Sequence, residues 1–392
     1  MKRQKAIVLL GCCGILGVFL YVYTNKSSNP QTIQAKVTEV EIDTEIEQNY
    51  FEIPDSYKKE IPDSSLSLDA EVIVPENFDA DNLYMGTANK VLDRDKIYHA
   101  FFKEGKEVQK DTWNAVTSWG ENEAGETDED RDGNYLLLEG NYHANFESVD
   151  GTYINNCVRV DTIEGENNID ILEKVADLEF MGKEQAKENV ESFLNSMGLS
   201  TKGNQYTIFA LDVETLKEQE KIIDKYGNDT NEGKNPEWTK EQEGYYFFGE
   251  QTFQGLPVWS KISVEDSGYF ENIIELPIQI FYSEKGVRLC DLKNYYQMEE
   301  NSEKVVLAPF ERIVESIEDK YKDLDSNGLI VRKMKLMEFP KRQKDGTYQM
   351  IPVWVCFMDV ITSDGERETL YLQMPINAIT GEEEIAIEGT IM

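Results

Sequence analysis

Histidine, cysteine and positive charge are all scarce in this chain. Only two histidines, His99 and His143, occur in 392 residues, which leaves little for a histidine-based metal site or a Ser-His-Asp relay. The 39 Lys and Arg residues face 75 Asp and Glu residues, so the net charge is −36. A surface of that sign repels a phosphate backbone, and nucleic-acid binding is therefore not expected.

The five cysteines form no disulfide or metal pattern. Cys157, Cys290 and Cys356 are widely spaced. Cys356 belongs to an apolar run at 353–357, where we expect a small buried core residue. The sequence also contains no G-x-S-x-G or H-E-x-x-H motif. We therefore predict no enzyme activity, no catalytic or cofactor-binding residue and no cofactor.

The longest apolar run, residues 6–23, follows three cations at Lys2, Arg3 and Lys5. A helix of this length covers about 27 Å, close to the hydrocarbon thickness of a bilayer. The positive-inside rule then predicts a cytoplasmic tail at 1–5, a transmembrane anchor at 6–23 and an extracytoplasmic remainder. Residues 24–65 are polar and contain prolines, which is typical of a stalk.

A second interpretation of this segment comes from Cys12, which ends a lipobox-like sequence at 9–12. Lipidation of Cys12 would follow cleavage, but the apolar stretch before it is shorter than that of an ordinary signal sequence. An uncleaved anchor therefore ranks first, a lipoprotein second and a cleaved signal third. All three place the protein at the cell membrane, single-pass or lipid-anchored, with most of the chain outside.

Residues 66–178 have the pattern of an α+β domain. Apolar and polar residues alternate from Leu66 to Val74, which predicts a half-buried strand. A helix is predicted at 88–103, and strands are predicted at 135–146 and 153–160.

A four-residue motif occurs twice in the remaining sequence, as Leu-Pro-Val-Trp at 256–259 and Ile-Pro-Val-Trp at 351–354. A glycine, Gly286 or Gly381, follows the start of each copy by 30 residues. Each glycine comes after an apolar strand, so both are expected in hairpin turns with positive φ.

Each motif is preceded by an amphipathic helix, predicted at 183–197 for the first copy and at 309–322 for the second. The first copy also carries an insertion at 213–244, a polar helix followed by a charged loop. These features predict two tandem units of one helix plus an antiparallel sheet, at 179–298 and 299–392.

The sequence Ile-Asn-Ala-Ile-Thr-Gly-Glu at 376–382 resembles the last hairpin of PepSY domains, which often has the form Asp-Ala-x-Thr-Gly-Glu. Two PepSY-like units behind one anchor are similar to the YycH/YycI-type two-component regulators and to uncharacterised clostridial surface proteins and lipoproteins. The first unit departs from this pattern, because it has no Thr-Gly at its turn. The resemblance covers about 182–388 and implies a regulatory role outside a Gram-positive cell, where those regulators restrain a membrane sensor histidine kinase. It supplies no catalytic residues.

The sharpest local motif is an acidic loop with Asp128, Asp130, Asp132 and Glu139 at the spacing of a calcium-binding loop. Carboxylates at these positions supply the hard oxygen ligands that calcium prefers. The flanking residues are not helical in pattern, however, and Asp-Arg-Asp-Gly-Asn at 130–134 also suits a hairpin turn. We therefore assign no metal site.

The aromatic and histidine candidates have simpler interpretations. Trp259 and Trp354 occupy matching places in the two motifs and would suit a binding platform, but their apolar strands favour buried core positions. His99 lies on a predicted helix and His143 on a predicted strand, and neither has a partner motif.

Three functional hypotheses follow from the sequence. The first is a non-catalytic, membrane-anchored module outside the cell that binds another surface or membrane protein. The second is a surface protein that binds a soluble ligand or calcium. The third, a hydrolase with carboxylates in a cleft, ranks last because no motif supports it.

Overall fold

The computed structural model describes residues 53–61, 64–102, 107–116, 122–158, 168–173, 175–223, 228–259, 277–321, 328–361 and 367–384. All of them belong to one unit, Phe51–Met392. The predicted tail at 1–5, the predicted anchor at 6–23 with Cys12, and most of the predicted stalk lie outside the described residues. None of the helices described is long and apolar enough to cross a membrane.

The described chain is built mainly of strands. In chain order they are β1 (Ser56–Glu60), β2 (Leu66–Ile73), β3 (Tyr84–Lys90), β4 (Val108–Val116), β5 (Asn122–Asp130), β6 (Tyr135–Glu139), β7 (His143–Glu147), β8 (Gln205–Leu211), β9 (Ile222–Ile223), β10 (Asp229–Thr230), β11 (Gly244–Glu250), β12 (Thr252–Phe253), β13 (Leu256–Pro257), β14 (Ile278–Ser283), β15 (Gly286–Lys293), β16 (Tyr296–Lys304), β17 (Leu329–Arg342), β18 (Tyr348–Ile361) and β19 (Arg367–Asn377). The α-helices are α1 (Arg94–Phe101), α2 (Val149–Asn155), α3 (Ile169–Leu172), α4 (Lys183–Ser196), α5 (Val213–Gln219) and α6 (Phe310–Tyr321).

Seven strands form one sheet in the order β1-β2-β17-β18-β3-β16, with β19 also paired to β18. Strands β2 and β17 are parallel, whereas the other neighbours are antiparallel. The predicted alternation in β2 is confirmed, because its buried residues are Leu66, Leu68, Ala70 and Val72. Helix α6 covers this sheet with an apolar stripe that consists of Phe310, Ile313, Val314, Ile317 and Tyr321.

Eight strands form a second, antiparallel sheet in the order β4-β5-β6-β7-β15-β14-β11-β8. Helices α1 and α4 pack on one face through Ile97, Val190 and Leu194. On the other face, a separate core includes Ile154 of α2 and Leu216 of α5. Within the described part of the chain, no buried member of that core comes from β4, β5, β6 or β7.

Helices and largely antiparallel sheets together confirm the α+β class. Strand pairing nevertheless crosses the predicted boundaries between 66–178, 179–298 and 299–392. Strands β2 and β3 join the sheet of β17–β19, whereas β4–β7 extend the sheet of β8, β11, β14 and β15. Alternation and turn residues in the sequence predict where strands lie. They do not predict which strands pair, because pairing depends on contacts between residues distant in sequence.

The predicted helix at 88–103 is too long, because it includes the end of a strand. Tyr84–Lys90 is β3, and the helix begins only after Asp93. The Asp93 carboxylate accepts hydrogen bonds from the N–H groups of Asp95 and Lys96 at 3.1 and 3.2 Å. A cap of this kind fixes a helix start that apolar spacing leaves open.

Residues 135–155 form a hairpin and a helix in place of the two strands predicted at 135–146 and 153–160. The hairpin is β6–β7, and α2 begins after Ser148. The Ser148 Oγ accepts a hydrogen bond from the Gly151 N–H at 3.2 Å, which caps the helix. Short apolar runs fit a strand and a helix equally well, and here the cap selects the helix.

The helix predicted at 214–226, at the start of the insertion 213–244, ends earlier than expected, at Gln219. The next residue, Glu220, is buried and holds the rest of the insertion in place. Its carboxylate accepts hydrogen bonds from the Asn235 N–H at 2.6 Å and from the Trp238 Nε1–H at 2.8 Å. The insertion thereby covers part of the eight-stranded sheet.

The two long amphipathic helices predicted at 183–197 and 309–322 are confirmed as α4 and α6. The hairpin glycines are confirmed as well, since Gly286 and Gly381 have φ angles of 92° and 78°. Only glycine adopts this region without steric cost, which is why the sequence signal at these turns is reliable.

The tryptophans of the two Pro-Val-Trp copies are buried in the same core, but the copies are not structurally equivalent. The first copy includes the short strand β13, whereas the second lies within β18. Trp259 packs on Phe339 and Trp354 packs on Phe310, each with 5.4 Å between ring centroids. The prediction of buried tryptophans is therefore confirmed.

Gly151 marks the closest approach of α2 to the eight-stranded sheet. A Cβ atom at this position would lie 2.5 Å from the backbone oxygen of Arg288. We expect Gly151→Ala to lower the free energy of unfolding by about 1–3 kcal/mol, because the backbone must move to relieve the clash. Urea denaturation followed by circular dichroism measures this. The control is Gly182→Ala, where the nearest atom is a side-chain oxygen at 3.3 Å, and equal losses in the two variants would contradict the expectation.

Candidate functional site

A row of polar side chains crosses the eight-stranded sheet on the face opposite α1 and α4. Leu136 and Leu138 of β6 point into the core beneath α1 and α4, so strand alternation places Glu139 on the other face. The same alternation brings polar residues of β7 and β15 to that face. We call the group the polar strip, which consists of Glu139, His143, Asn145, Glu147 and Asp291.

His143 connects the strip through both of its ring nitrogens. Nδ1 lies 2.7 Å from Glu139 Oε2, and Nε2 lies 2.8 Å from Asp291 Oδ1. The imidazolium form donates to both carboxylates, whereas either neutral tautomer would turn a lone pair toward one of them. In this geometry neither nitrogen is available to a metal ion or to a substrate proton.

The electrostatics of the strip agree with that arrangement. Burial opposes protonation of the imidazole, but the hydrogen bonds and charges of Asp291 and Glu139 outweigh it and raise the pKa of His143. Burial likewise opposes ionisation of Asp291, yet the hydrogen bond from His143 and the charge of Lys293 lower the pKa of this carboxyl. The Lys293 ammonium is 3.0 Å from Asp291 Oδ2. The geometry and the raised pKa therefore both favour the cationic form of His143 between the two carboxylates.

We expect NMR titration to show the His143 imidazole ionising above its ordinary pKa of 6.5. The chain has only two histidines, so His99→Gln assigns the second signal. Because the pKa of His143 is raised in the folded chain, protonated His143 stabilises the fold. This contribution is fully present below pH 6.5 and is lost as the pH rises through the folded pKa. His143→Gln should accordingly cost more stability near pH 6 than near pH 9. A His143 signal that titrates at or below 6.5 would contradict the paired geometry.

At the Glu147 end, the polar strip contacts α2 and lies beside the exposed aromatic residue Tyr135. Glu147 accepts hydrogen bonds from the Thr152 hydroxyl at 3.3 Å and from the Asn155 amide at 3.4 Å. Tyr135, directly opposite Glu147, is 36% exposed. The Asn145 Oδ1 between the two ends is buried and has no hydrogen-bond partner within the described residues.

The calcium-like motif forms a hairpin turn between β5 and β6. Asp130 Oδ1 accepts hydrogen bonds from the N–H groups of Asp132 and Asn134 at 2.8 and 3.0 Å. Asp128 lies opposite Leu136 in the strand pair, so its side chain is on the face covered by α1 and α4. Glu139 lies on the other face, with His143. The first and last carboxylates of the motif therefore do not converge. Across the described residues, no group of three or more His, Cys, Asp or Glu is placed to hold a metal ion.

The remaining sequence candidates are separate from the strip. His99 lies on the exposed side of α1. Cys157, Cys290 and Cys356 are buried, and burial raises the pKa values of Cys290 and Cys356. The core role predicted for Cys356 is confirmed. The polar strip could not be predicted from the sequence, because His143 and Asp291 come together only when β7 pairs with β15.

Comparison with known proteins identifies a related fold and nothing finer. No family model and no curated relative match the sequence. The crystal structure of an uncharacterized protein from Eubacterium rectale ATCC 33656 matches with a TM-score of 0.52 and 19% identity, over 85% of this chain and 94% of that one. The Bacillus megaterium YpeB C-terminal domain aligns over 76% of this chain and 97% of its own length, with 10% identity and a TM-score of 0.25. The second value is too low to support an argument, so the comparisons establish a fold shared with the Eubacterium protein.

Proposed function

We propose that this chain is a non-catalytic, membrane-anchored extracytoplasmic module that binds another surface or membrane protein. The observation that carries the proposal is the half-buried polar strip on β6, β7 and β15, which lies beside exposed Tyr135. Interfaces between proteins combine aromatic anchors with groups that form hydrogen bonds to the partner. The membrane anchor is residues 6–23, and the partner meets the chain on the outer side.

The finer architecture in this proposal is two PepSY-like units. Helix α4 with β8, β11, β14 and β15 forms one helix-plus-sheet group, and α6 with β17, β18 and β19 forms the other. Gly286 and Gly381 close corresponding hairpins. This arrangement supports the resemblance to extracytoplasmic regulators of sensor kinases, where the partner is a membrane protein.

Site-specific photocrosslinking in native membranes tests the proposal. A benzoylphenylalanine replaces Tyr135 in the full-length chain, and the same group replaces Val306 as a control. Val306 is 68% exposed and precedes α6, outside the eight-stranded sheet. We expect a discrete crosslinked protein from position 135 that is absent from position 306. Identical products at both positions, or none at 135, would count against the proposal.

A further inference from the structure

We propose that Tyr135, flanked by Glu129 and Glu147, recognises a lysine or arginine side chain on a basic segment of the protein partner. This inference rests on the proposed function, because it names the chemistry of the partner at that same face. The three residues belong to the neighbouring strands β5, β6 and β7. Together they are called the acid–aromatic triplet below.

The triplet is a consequence of strand register. Tyr135 lies directly opposite Glu129 on one side and Glu147 on the other. Directly opposite residues in antiparallel strands have Cβ atoms about 4.5–5.5 Å apart. Both carboxylates therefore border the same aromatic ring. In agreement, burial and the negative charges of Glu147, Glu139 and Glu129 raise the pKa of the Tyr135 phenol.

Within the triplet the two carboxylates have no internal counter-charge. Among the described residues, no lysine or arginine forms an ion pair with Glu129 or Glu147. The nearby cations are used elsewhere, since Arg131 pairs with Glu107 and Arg288 pairs with Asp150 at 3.1 Å. Glu139, by contrast, is already bonded to His143. Two carboxylates without an ion-pair partner, on either side of one ring, favour a cation above that ring.

Apolar surface next to the triplet fits the rest of a basic side chain. Val149 is 46% exposed, and its Cγ2 is 3.0 Å from the position of a Cβ on Gly133, so it lies against the β5–β6 turn. Lysine and arginine bury their methylene stems on surface of this kind while the charged head reaches polar groups. The occupant that matches both the charge and the apolar surface is therefore a basic side chain. A second copy of this chain is a poor match, because each copy carries −36.

Fluorescence anisotropy with a labelled octapeptide of alternating lysine and glycine measures this recognition on the full-length chain in detergent. Tyr135→Leu should weaken binding about two- to fivefold, whereas Tyr135→Phe, which keeps the aromatic face, should bind like the native chain. Glu129→Gln with Glu147→Gln should weaken binding further and flatten its salt dependence. The matched control is Glu299→Gln with Glu300→Gln, which removes the same charge from two exposed positions on β16.

Equal losses in the two double variants would mean that the peptide is attracted by net charge alone, and this would overturn the inference. So would an unchanged affinity in Tyr135→Leu, or a crosslink from position 135 to a second copy of the chain. A foreign partner captured at position 135, with no peptide binding, would overturn the basic-side-chain inference and leave the proposed function standing. Peptide binding lost in Tyr135→Leu, with no captured partner, would support the inference and count against the function.

Discussion

Replacement of Trp354 by alanine is expected to lower the free energy of unfolding by about 3–5 kcal/mol. Trp354 is 1% exposed and lies on β18 between Leu336 of β17 and Ile376 of β19. Its ring also meets Phe310 of α6 edge to face. Truncation therefore leaves a cavity where two strands and a helix converge, and such a site cannot collapse easily.

Urea denaturation of the full-length chain, followed by far-ultraviolet circular dichroism, measures the loss. Tyr135→Ala is the matched control, because Tyr135 is an aromatic residue on a strand but is 36% exposed. We expect the control to change stability by less than about 1 kcal/mol. A Trp354→Ala loss no larger than that of the control would contradict the position of Trp354 at the centre of the core.

The second large effect is expected at Glu338, a buried acid in the middle of the seven-stranded sheet. It is 1% exposed, and neither carboxylate oxygen has a hydrogen-bond partner. Both Pro-Val-Trp copies meet its backbone, since Pro352 lies opposite on β18 and the Trp259 N–H donates to the Glu338 carbonyl at 2.7 Å. Burial raises the pKa of this carboxyl well above its ordinary value of 4.5.

The direction of the pH effect follows from proton binding. Below about pH 4.5 the carboxyl is protonated in both the folded and the unfolded chain, and it contributes no pH dependence. As the pH rises, the unfolded carboxyl loses its proton while the folded one keeps it. Stability then falls by about 1.4 kcal/mol per pH unit until the folded group also ionises.

Glu338→Gln removes this titration while keeping the shape of the side chain. We expect the variant to gain stability relative to the native chain as the pH is raised from 5 to 8, at up to about 1.4 kcal/mol per unit. Urea midpoints across that range measure the difference. Glu299→Gln, at an exposed position on β16, serves as the control and should show no such trend. A constant difference between Glu338→Gln and the native chain would mean that Glu338 is ionised in the fold.

The helices, strands and turns that could be predicted from the sequence are those that depend on neighbouring residues. The stripes of α4 and α6, the alternation in β2 and the positive φ angles of Gly286 and Gly381 all depend on residues within a turn or two of each other. Errors occurred where a short apolar run fits two conformations, as at Val149–Asn155. There the Ser148 cap decided the outcome, and apolar spacing does not contain that information.

The candidate site could not be predicted, because it depends on contacts between distant parts of the chain. His143 contacts Asp291 because β7 pairs with β15. In the acid–aromatic triplet, Glu129 and Glu147 lie beside Tyr135 because of the registers of β5 and β7 with β6. A one-residue slip in either register would send these side chains to the opposite face. Glu338 is a similar case, since only burial by remote strands distinguishes it from the many surface glutamates.

The parallel pairing of β2 with β17 has a consequence for the order of folding. Leu66 lies beside Leu329, so the partner edge for β2 is made only when most of the chain has been synthesised. Contacts between residues so far apart in sequence slow folding, because a long loop must close before the contact stabilises anything. Until then one edge of β2 has no partner strand, because β1 pairs only with the other edge. A nascent chain that stops before β17 would therefore expose an unpaired edge of β2, and an exposed strand edge of this kind favours aggregation.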